Sequence, residues 1–172
     1  MNIAILLSGP SLADLSDAPI ADITIGVKRA ALRFSCDWTV VLDSPDLRSE
    51  WFAKVDAPLL LTRAEYRPKY TTLPGVDCET LEQTYPHHPH LGGWRWGTFS
   101  SSAALVLAKH LGATSIDVYG ADFGQGKTLA EYDGFESPEK RYTPERWEFE
   151  LGVWNATIEA LKLKVVRHGL DG

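Results

Sequence analysis

The residues best suited to binding a phosphorylated ligand follow the first apolar run of the chain: Ser8, Gly9, Pro10 and Ser11. Glycine lets a backbone approach a ligand closely, and the backbone N–H groups at the start of a helix attract anions. Hydroxyl groups on both sides of the glycine add donors, so the segment predicts a phosphate site. The alternative is an ordinary strand-to-helix turn in which Ser11 caps the helix.

Charged residues follow the later apolar runs. Lys28 could supply the positive charge that a diphosphate needs, or it could lie exposed in the first turn of a helix. Asp43 and Asp46 could bind Mg²⁺ through their carboxylates or hydrogen-bond a ribose. The alternative is an Asx-turn at Asp43 and a helix cap at Asp46. Asp122, two residues after Gly120, is either a metal or ribose ligand or a carboxylate that fixes its loop.

Two further segments carry candidate groups. Residues 98–102 place several hydroxyl groups at the start of a predicted helix, which makes Ser101 a second candidate for anion binding. The irregular stretch 124–142 could close as a lid over a leaving diphosphate, or it could be a plain surface loop. Its cationic and phenolic candidates are Lys127, Arg141 and Tyr142.

Histidines give weaker signals. His87, His88 and His90 surround a proline and resemble a metal-binding cluster, but no Asp, Glu or Cys partner lies at a known ligand spacing. A polar loop is therefore the favoured interpretation. His168, after the last predicted strand, is a spare candidate for a base.

Short apolar runs, separated by turns and amphipathic stretches, must position these groups. Runs of this kind, alternating with helical segments, predict a parallel sheet with crossover helices. In such a sheet the segments that follow the strands share the carboxyl edge, where ligands bind. We predict one Rossmann-like α/β/α domain over residues 1–172, with a mainly parallel sheet and irregular insertions at about 63–97 and 124–142. The runs are 3–7, 23–27, 38–42, 58–62, 115–119 and 164–167. Helices are predicted over 28–34, 47–55 and 103–111, and a last helix is predicted to begin at Pro144. The apolar stripe of that last helix, from Trp147 to Leu161, is predicted to pack in the core.

The composition excludes several classes of protein. The chain has 172 residues, 44% of them hydrophobic, which fits one globular domain. Its formal net charge of −6 gives no long-range attraction to polyanions, so neither duplex nucleic acid nor an anionic membrane is expected as a partner. The N-terminal apolar run is too short for a signal peptide, which predicts a cytoplasmic location. Cys36 and Cys78 are expected to be reduced, partly buried thiols.

Several segments also resemble one group of proteins. Residues 7–12, Leu-Ser-Gly-Pro-Ser-Leu, resemble the N-terminal Gly-x-Gly-Pro-Ser-Leu loop of Rossmann-like proteins. That group includes the family-42 bacterial sialyltransferases, the 6-hydroxymethylpterin diphosphokinase-like proteins and small phage or prophage members. Residues 26–30, 37–43 and 101–123, the last ending in Gly-Ala-Asp-Phe, are similar to further segments of the group.

The resemblance implies a nucleotide or nucleotide-sugar held over the first loop, and transfer of a glycosyl or diphosphate group. Ser8, Gly9 and Ser11 would hold phosphate, while Asp43 and Asp122 would hold ribose or Mg²⁺. Lys127, Arg141 and Tyr142 would neutralise the charge of the leaving group by electrostatics. No cofactor is required, although Mg²⁺ could take part. The alternative is a non-catalytic nucleotide-binding or phage-associated module on the same scaffold.

Overall fold

The computed structural model describes residues 1–43, 55–70, 74–86, 95–124 and 144–169. Its strands form one sheet in which every neighbouring pair is parallel. The order across the sheet is β5-β4-β3-β2-β1-β6-β7, which confirms the predicted Rossmann-like α/β class. The strands are β1 (Asn2–Leu6), β2 (Ile23–Val27), β3 (Trp38–Val40), β4 (Leu59–Thr62), β5 (Gly75–Asp77), β6 (Ser115–Tyr119) and β7 (Val165–His168).

Three α-helices belong to the described residues: α1 (Cys78–Thr84), α2 (Ser100–His110) and α3 (Pro144–Leu161). The predicted start of α3 at Pro144 is confirmed, since proline suits the first helical position. The helix predicted over 28–34 is instead a 3₁₀ helix, Lys28–Leu32, and Pro10–Asp14 is another. Most of the helix predicted over 47–55 lies outside the described residues.

The sheet is buried on both faces, as continuous apolar runs require. Ile3 and Ile5 point to one face, where they belong to a core with the apolar side of α2 and with Trp154 of α3. Leu6 points to the other face and packs with Leu12 of the first 3₁₀ helix. Because side chains alternate along a strand, β1 anchors both layers at once.

The stretch 63–97, predicted to be irregular, contains β5 and α1. Strand β5 gave no signal because it has three residues and begins with a glycine. A Cβ on Gly75 would lie 1.8 Å from the carbonyl oxygen of Leu60, so glycine allows β5 to approach β4. The Arg67 guanidinium joins the two strands by donating to the carbonyl oxygens of Leu60 (2.9 Å) and Val76 (2.6 Å).

Two properties expected from composition can be compared with the structure. Among the described residues, no helix combines the length and the apolar character needed to cross a bilayer. Both cysteines are free and buried, with no disulfide between them. Burial raises the pKa of each thiol to about 12, and at Cys36 the charges of Asp37 and Asp56 add to this effect.

Candidate functional site

The carboxyl edge of the sheet brings the predicted segments together. Because all strands are parallel, the residues after β1, β2, β3 and β6 leave the sheet at this edge. Strand β1 lies between β2 and β6. The connection after β1 therefore leads to β2, towards one edge of the sheet, and the connection after β6 leads to β7, at the opposite edge. This is the switch point at which open α/β sheets bind ligands.

The loops after β1 and β6 are fastened to each other. Asp122 is only 2% exposed, and its carboxylate accepts hydrogen bonds from the backbone N–H of Ser11 (2.6 Å) and from Ser11 Oγ (2.5 Å). The N–H of Gly9 donates to the carbonyl oxygen of Gly120 at 2.8 Å. Gly120 has a φ of 78°, a left-handed conformation that favours glycine.

These contacts bear on the predicted roles of the first loop. Ser11 does not cap the 3₁₀ helix, because Gly9 holds the cap position and the Ser11 hydroxyl is bonded to Asp122. Ser8 Oγ donates to the carbonyl oxygen of Val27 at 3.2 Å. The side chain of Asp122 makes the contacts expected of a loop-fixing carboxylate. The anion at this helix start is therefore a group of the protein itself.

Lys28 and Asp43 form an ion pair across the ends of β2 and β3, with 3.1 Å between Lys28 Nζ and Asp43 Oδ2. Lys28 has a φ of 51°, so the chain turns sharply as it leaves β2. Neither side chain is fully buried, and both lie at the carboxyl edge. The described residues contain no group of three or more His, Cys, Asp or Glu suited to a metal ion.

Helix α2 also begins at the carboxyl edge, and no side chain caps it. Its cap position is held by Phe99, whose side chain has no hydrogen-bonding group. Ser101 Oγ donates to Glu150 Oε1 of α3 at 2.9 Å. Ser100, 5% exposed, and Ser102, fully buried, have hydroxyl oxygens with no hydrogen-bond partner among the described residues.

Glu150 is the site residue that sequence reasoning missed. Burial raises the pKa of its carboxyl above the ordinary value, while the Ser101 hydrogen bond and the charges of Lys28 and Arg146 act in the opposite direction. A signal was present in the sequence. Glu150 lies three residues after Trp147 and four before Trp154, which puts a carboxylate beside the apolar stripe of α3.

A second polar cluster lies where β6 and β7 pair. His168 Nε2 is 2.7 Å from Asp117 Oδ1, and its ring stacks on Tyr119 with 4.6 Å between centroids. The Asn2 amide donates to Asp117 Oδ2 at 2.9 Å. The hydrogen bond from His168, followed by that from Asn2, lowers the pKa of Asp117. This cluster borders the first loop, because a Cβ on Gly169 would lie 3.0 Å from Ser11 Oγ.

The remaining predicted residues lie outside the described residues. They are Asp46, His87, His88, His90, Lys127, Arg141 and Tyr142.

No protein-family model and no curated protein matches the chain. Its fold is similar to that of the sialyltransferase CST-II solved with a trisaccharide acceptor and CMP, at 13% identity and a TM-score of 0.64. The match covers 98% of this chain and 81% of that one. A structure of CstII from Campylobacter jejuni with cytidine-5'-monophosphate matches at 12% identity and a TM-score of 0.57, over 99% of this chain and 80% of that one.

A third structure, a mutant described as an α-2,3/8-sialyltransferase, matches at 13% identity and a TM-score of 0.56. It covers 98% of this chain and 82% of that one. At these identities the likeness establishes the fold.

Proposed function

We propose that this protein is a glycosyltransferase that binds a nucleotide-sugar at the carboxyl edge of its sheet. The observation that carries the proposal is the convergence of three features at one switch point. These are the fastened loops after β1 and β6, the ion pair of Lys28 and Asp43, and the uncapped start of α2. The fold supports this substrate class, because a similar structure holds CMP and a trisaccharide acceptor.

The start of α2 is the proposed site for the anionic group of the ligand. The first N–H groups of a helix carry a partial positive charge and need acceptors. A buried hydroxyl without a partner costs about 1–3 kcal/mol, which a ligand oxygen bonded to Ser100 would offset. The charge of Lys28 reaches this region, since it acts on the pKa of Glu150.

The ion pair of Lys28 and Asp43 has a proposed role in nucleotide binding. Asp43 would accept a hydrogen bond from a ribose hydroxyl, and Lys28 would then turn its charge towards the phosphate. Lys127, Arg141 and Tyr142 keep their proposed role of neutralising the leaving group. In the alternative, Asp43 and Asp46 would bind a Mg²⁺ ion instead of the ribose, and that ion would supply positive charge for the phosphate.

The competing proposal is a nucleotide-binding module without catalysis. One observation favours it: the hydroxyl and N–H of Ser11 are already bonded to Asp122, so the first loop offers a ligand fewer donors than the sequence predicts. Both proposals require nucleotide binding, and only the first requires turnover.

Thermal unfolding with CMP, UDP, GDP, CDP and ATP, each with and without Mg²⁺, tests binding. A nucleotide at 100 times its dissociation constant stabilises the folded state by about 2.7 kcal/mol, which raises Tm by about 5–11 °C for a chain of this size. Lys28→Ala should reduce that shift. Lys109→Ala, in the last turn of α2 at the opposite end of the helix, is the matched control.

Turnover is then measured as release of the nucleoside monophosphate or diphosphate from the sugar of whichever nucleotide stabilises the protein. Binding without release would favour the module. No stabilisation by any of the five nucleotides would refute both proposals.

A further inference from the structure

We infer that Glu150 is the general base of this site and takes the proton of the hydroxyl group that attacks the sugar. The inference rests on the proposed function, because it assigns a step of the proposed glycosyl transfer to a residue of α3.

Glu150 lies in a position that suits a base of this site. Its carboxyl group contacts Ser101 at the start of α2, with 2.9 Å between Glu150 Oε1 and Ser101 Oγ. The start of α2 is where we place the anionic group of the nucleotide-sugar. The carboxyl is therefore held beside the proposed ligand by a contact between two helices that pack together, rather than by a loop.

The electrostatic setting of Glu150 also suits a base. Burial disfavours the charged form of Glu150 and raises its pKa, whereas Ser101, Lys28 and Arg146 partly restore the charged form. A carboxylate with a raised pKa is a stronger base than an exposed one, and general bases work best with a pKa near the working pH. Asp43 neutralises part of the Lys28 charge through the 3.1 Å ion pair.

Glu150 differs from the other carboxylates at this edge in its accessibility and its contacts. Asp122 is only 2% exposed and both its oxygens accept hydrogen bonds from Ser11, so a substrate hydroxyl has little access to it. Asp43 is paired with Lys28 at 3.1 Å, and we place it beside the nucleotide rather than beside the attacking hydroxyl. Glu150 Oε2, by contrast, has no hydrogen bond to the described part of the chain.

The proposed transfer forms one bond and breaks another. The acceptor oxygen forms a bond to the anomeric carbon, and the bond from that carbon to the phosphate oxygen breaks. The electron pair of the broken bond leaves with the nucleoside phosphate. The proton of the acceptor hydroxyl moves to Glu150, which releases it to water once the products leave.

Glu150→Gln tests the inference, because glutamine keeps the shape and the Ser101 contact but cannot take up the proton. General-base catalysis contributes about 10²–10⁴-fold, so kcat should fall by that factor while KM stays within about threefold. In the unsubstituted protein kcat/KM should rise with pH as Glu150 loses its proton. The variant should lack this rise. Glu148→Gln, an exposed position on the same helix, is the matched control and should behave like the original protein.

A second variant separates a base from a structural residue. Glu150→Ala should be inactive, and formate added to the assay should restore part of its turnover by taking the place of the missing carboxylate.

The outcomes distinguish the inference from the function beneath it. If the unsubstituted protein binds no nucleotide and releases none from a nucleotide-sugar, the proposed function fails and the base assignment fails with it. If it is active and Glu150→Gln keeps more than about a tenth of kcat, the assignment alone is overturned. If both variants fail to fold, the pH dependence of kcat/KM in the original protein still tests the assignment. A kcat/KM that does not change between about pH 4 and about pH 8 overturns the assignment.

Discussion

Replacing Gly9 with alanine should force apart the two loops that form one wall of the site. A Cβ on Gly9 would lie 2.2 Å from the carbonyl oxygen of Gly120 and 2.5 Å from Asp122 Oδ2. The φ of Gly9 is −67°, which alanine adopts readily, so the cost is steric rather than conformational. The Gly120 carbonyl belongs to the backbone and already accepts the Gly9 N–H, so it cannot rotate away as the end of a side chain can.

The size of the effect follows from these distances. A shift of about 0.8 Å is needed to reach the 3.0 Å that real Cβ atoms keep from other atoms. Overpacking of this kind costs about 1–3 kcal/mol. The same shift weakens the bonds from Ser11 to Asp122, and hydrogen bonds to charged groups contribute about 1.5–3 kcal/mol each. We expect a loss of about 3 kcal/mol, which lowers Tm by about 6–12 °C.

Urea unfolding of the original protein and of Gly9→Ala measures this loss. Gly152→Ala is the matched control, because Gly152 is exposed on α3 and a Cβ at this position would have no neighbouring atom within 4 Å. Alanine is the better helix former, so the control should gain about 0.5–1 kcal/mol. If Gly9→Ala is as stable as the original protein within about 0.5 kcal/mol, the close packing of the two loops is refuted.

Two further predictions use the pKa shifts. The pKa of Asp117 is lower in the folded protein than its ordinary 3.8, so its bonds to His168 and Asn2 add stability above that value, and this stability is lost as the pH falls. Asp117→Asn should therefore destabilise the protein at neutral pH and less so at about pH 3, measured by urea unfolding. An equal loss at both values would contradict this. Because burial raises the pKa of Cys36 and Cys78 to about 12, a thiol reagent at about pH 8 should label neither before unfolding and both afterwards. Rapid labelling of the folded protein would be the opposite result.

The strands were predictable because each long strand is a continuous apolar run. All six runs became strands, although β3 ends at Val40 rather than at 42. Strand β5 was not predictable, because three residues beginning with Gly75 show no periodicity. A helix was predicted over 28–34, but only the short 3₁₀ helix Lys28–Leu32 forms there. Composition indicates a helical segment but does not distinguish the 3₁₀ from the α-helical hydrogen-bond pattern.

The position of the site at the carboxyl edge of the sheet was predictable, but the side-chain contacts within it were not. Parallel strands bring Ser11, Asp43 and Asp122 to one side whatever their separation in sequence. The bond between Ser11 and Asp122 joins residues 111 positions apart, and nothing in either segment shows that one partners the other. Glu150 was not predicted as a site residue for a different reason. Its helix was assigned to the core from its apolar stripe, and a carboxylate beside that stripe was not treated as a site residue.

These contacts change where the anionic group of a ligand should be placed. The sequence favours the first loop, but the carboxylate of Asp122 already accepts the N–H and hydroxyl of Ser11. A phosphate at the same point would have to compete with that carboxylate for the same two donors. The start of α2 has no side-chain cap, and it has a buried Ser100 hydroxyl without a partner among the described residues. The first loop therefore shapes the wall of the site, whereas the positive end of α2 is the better position for the ligand's charge.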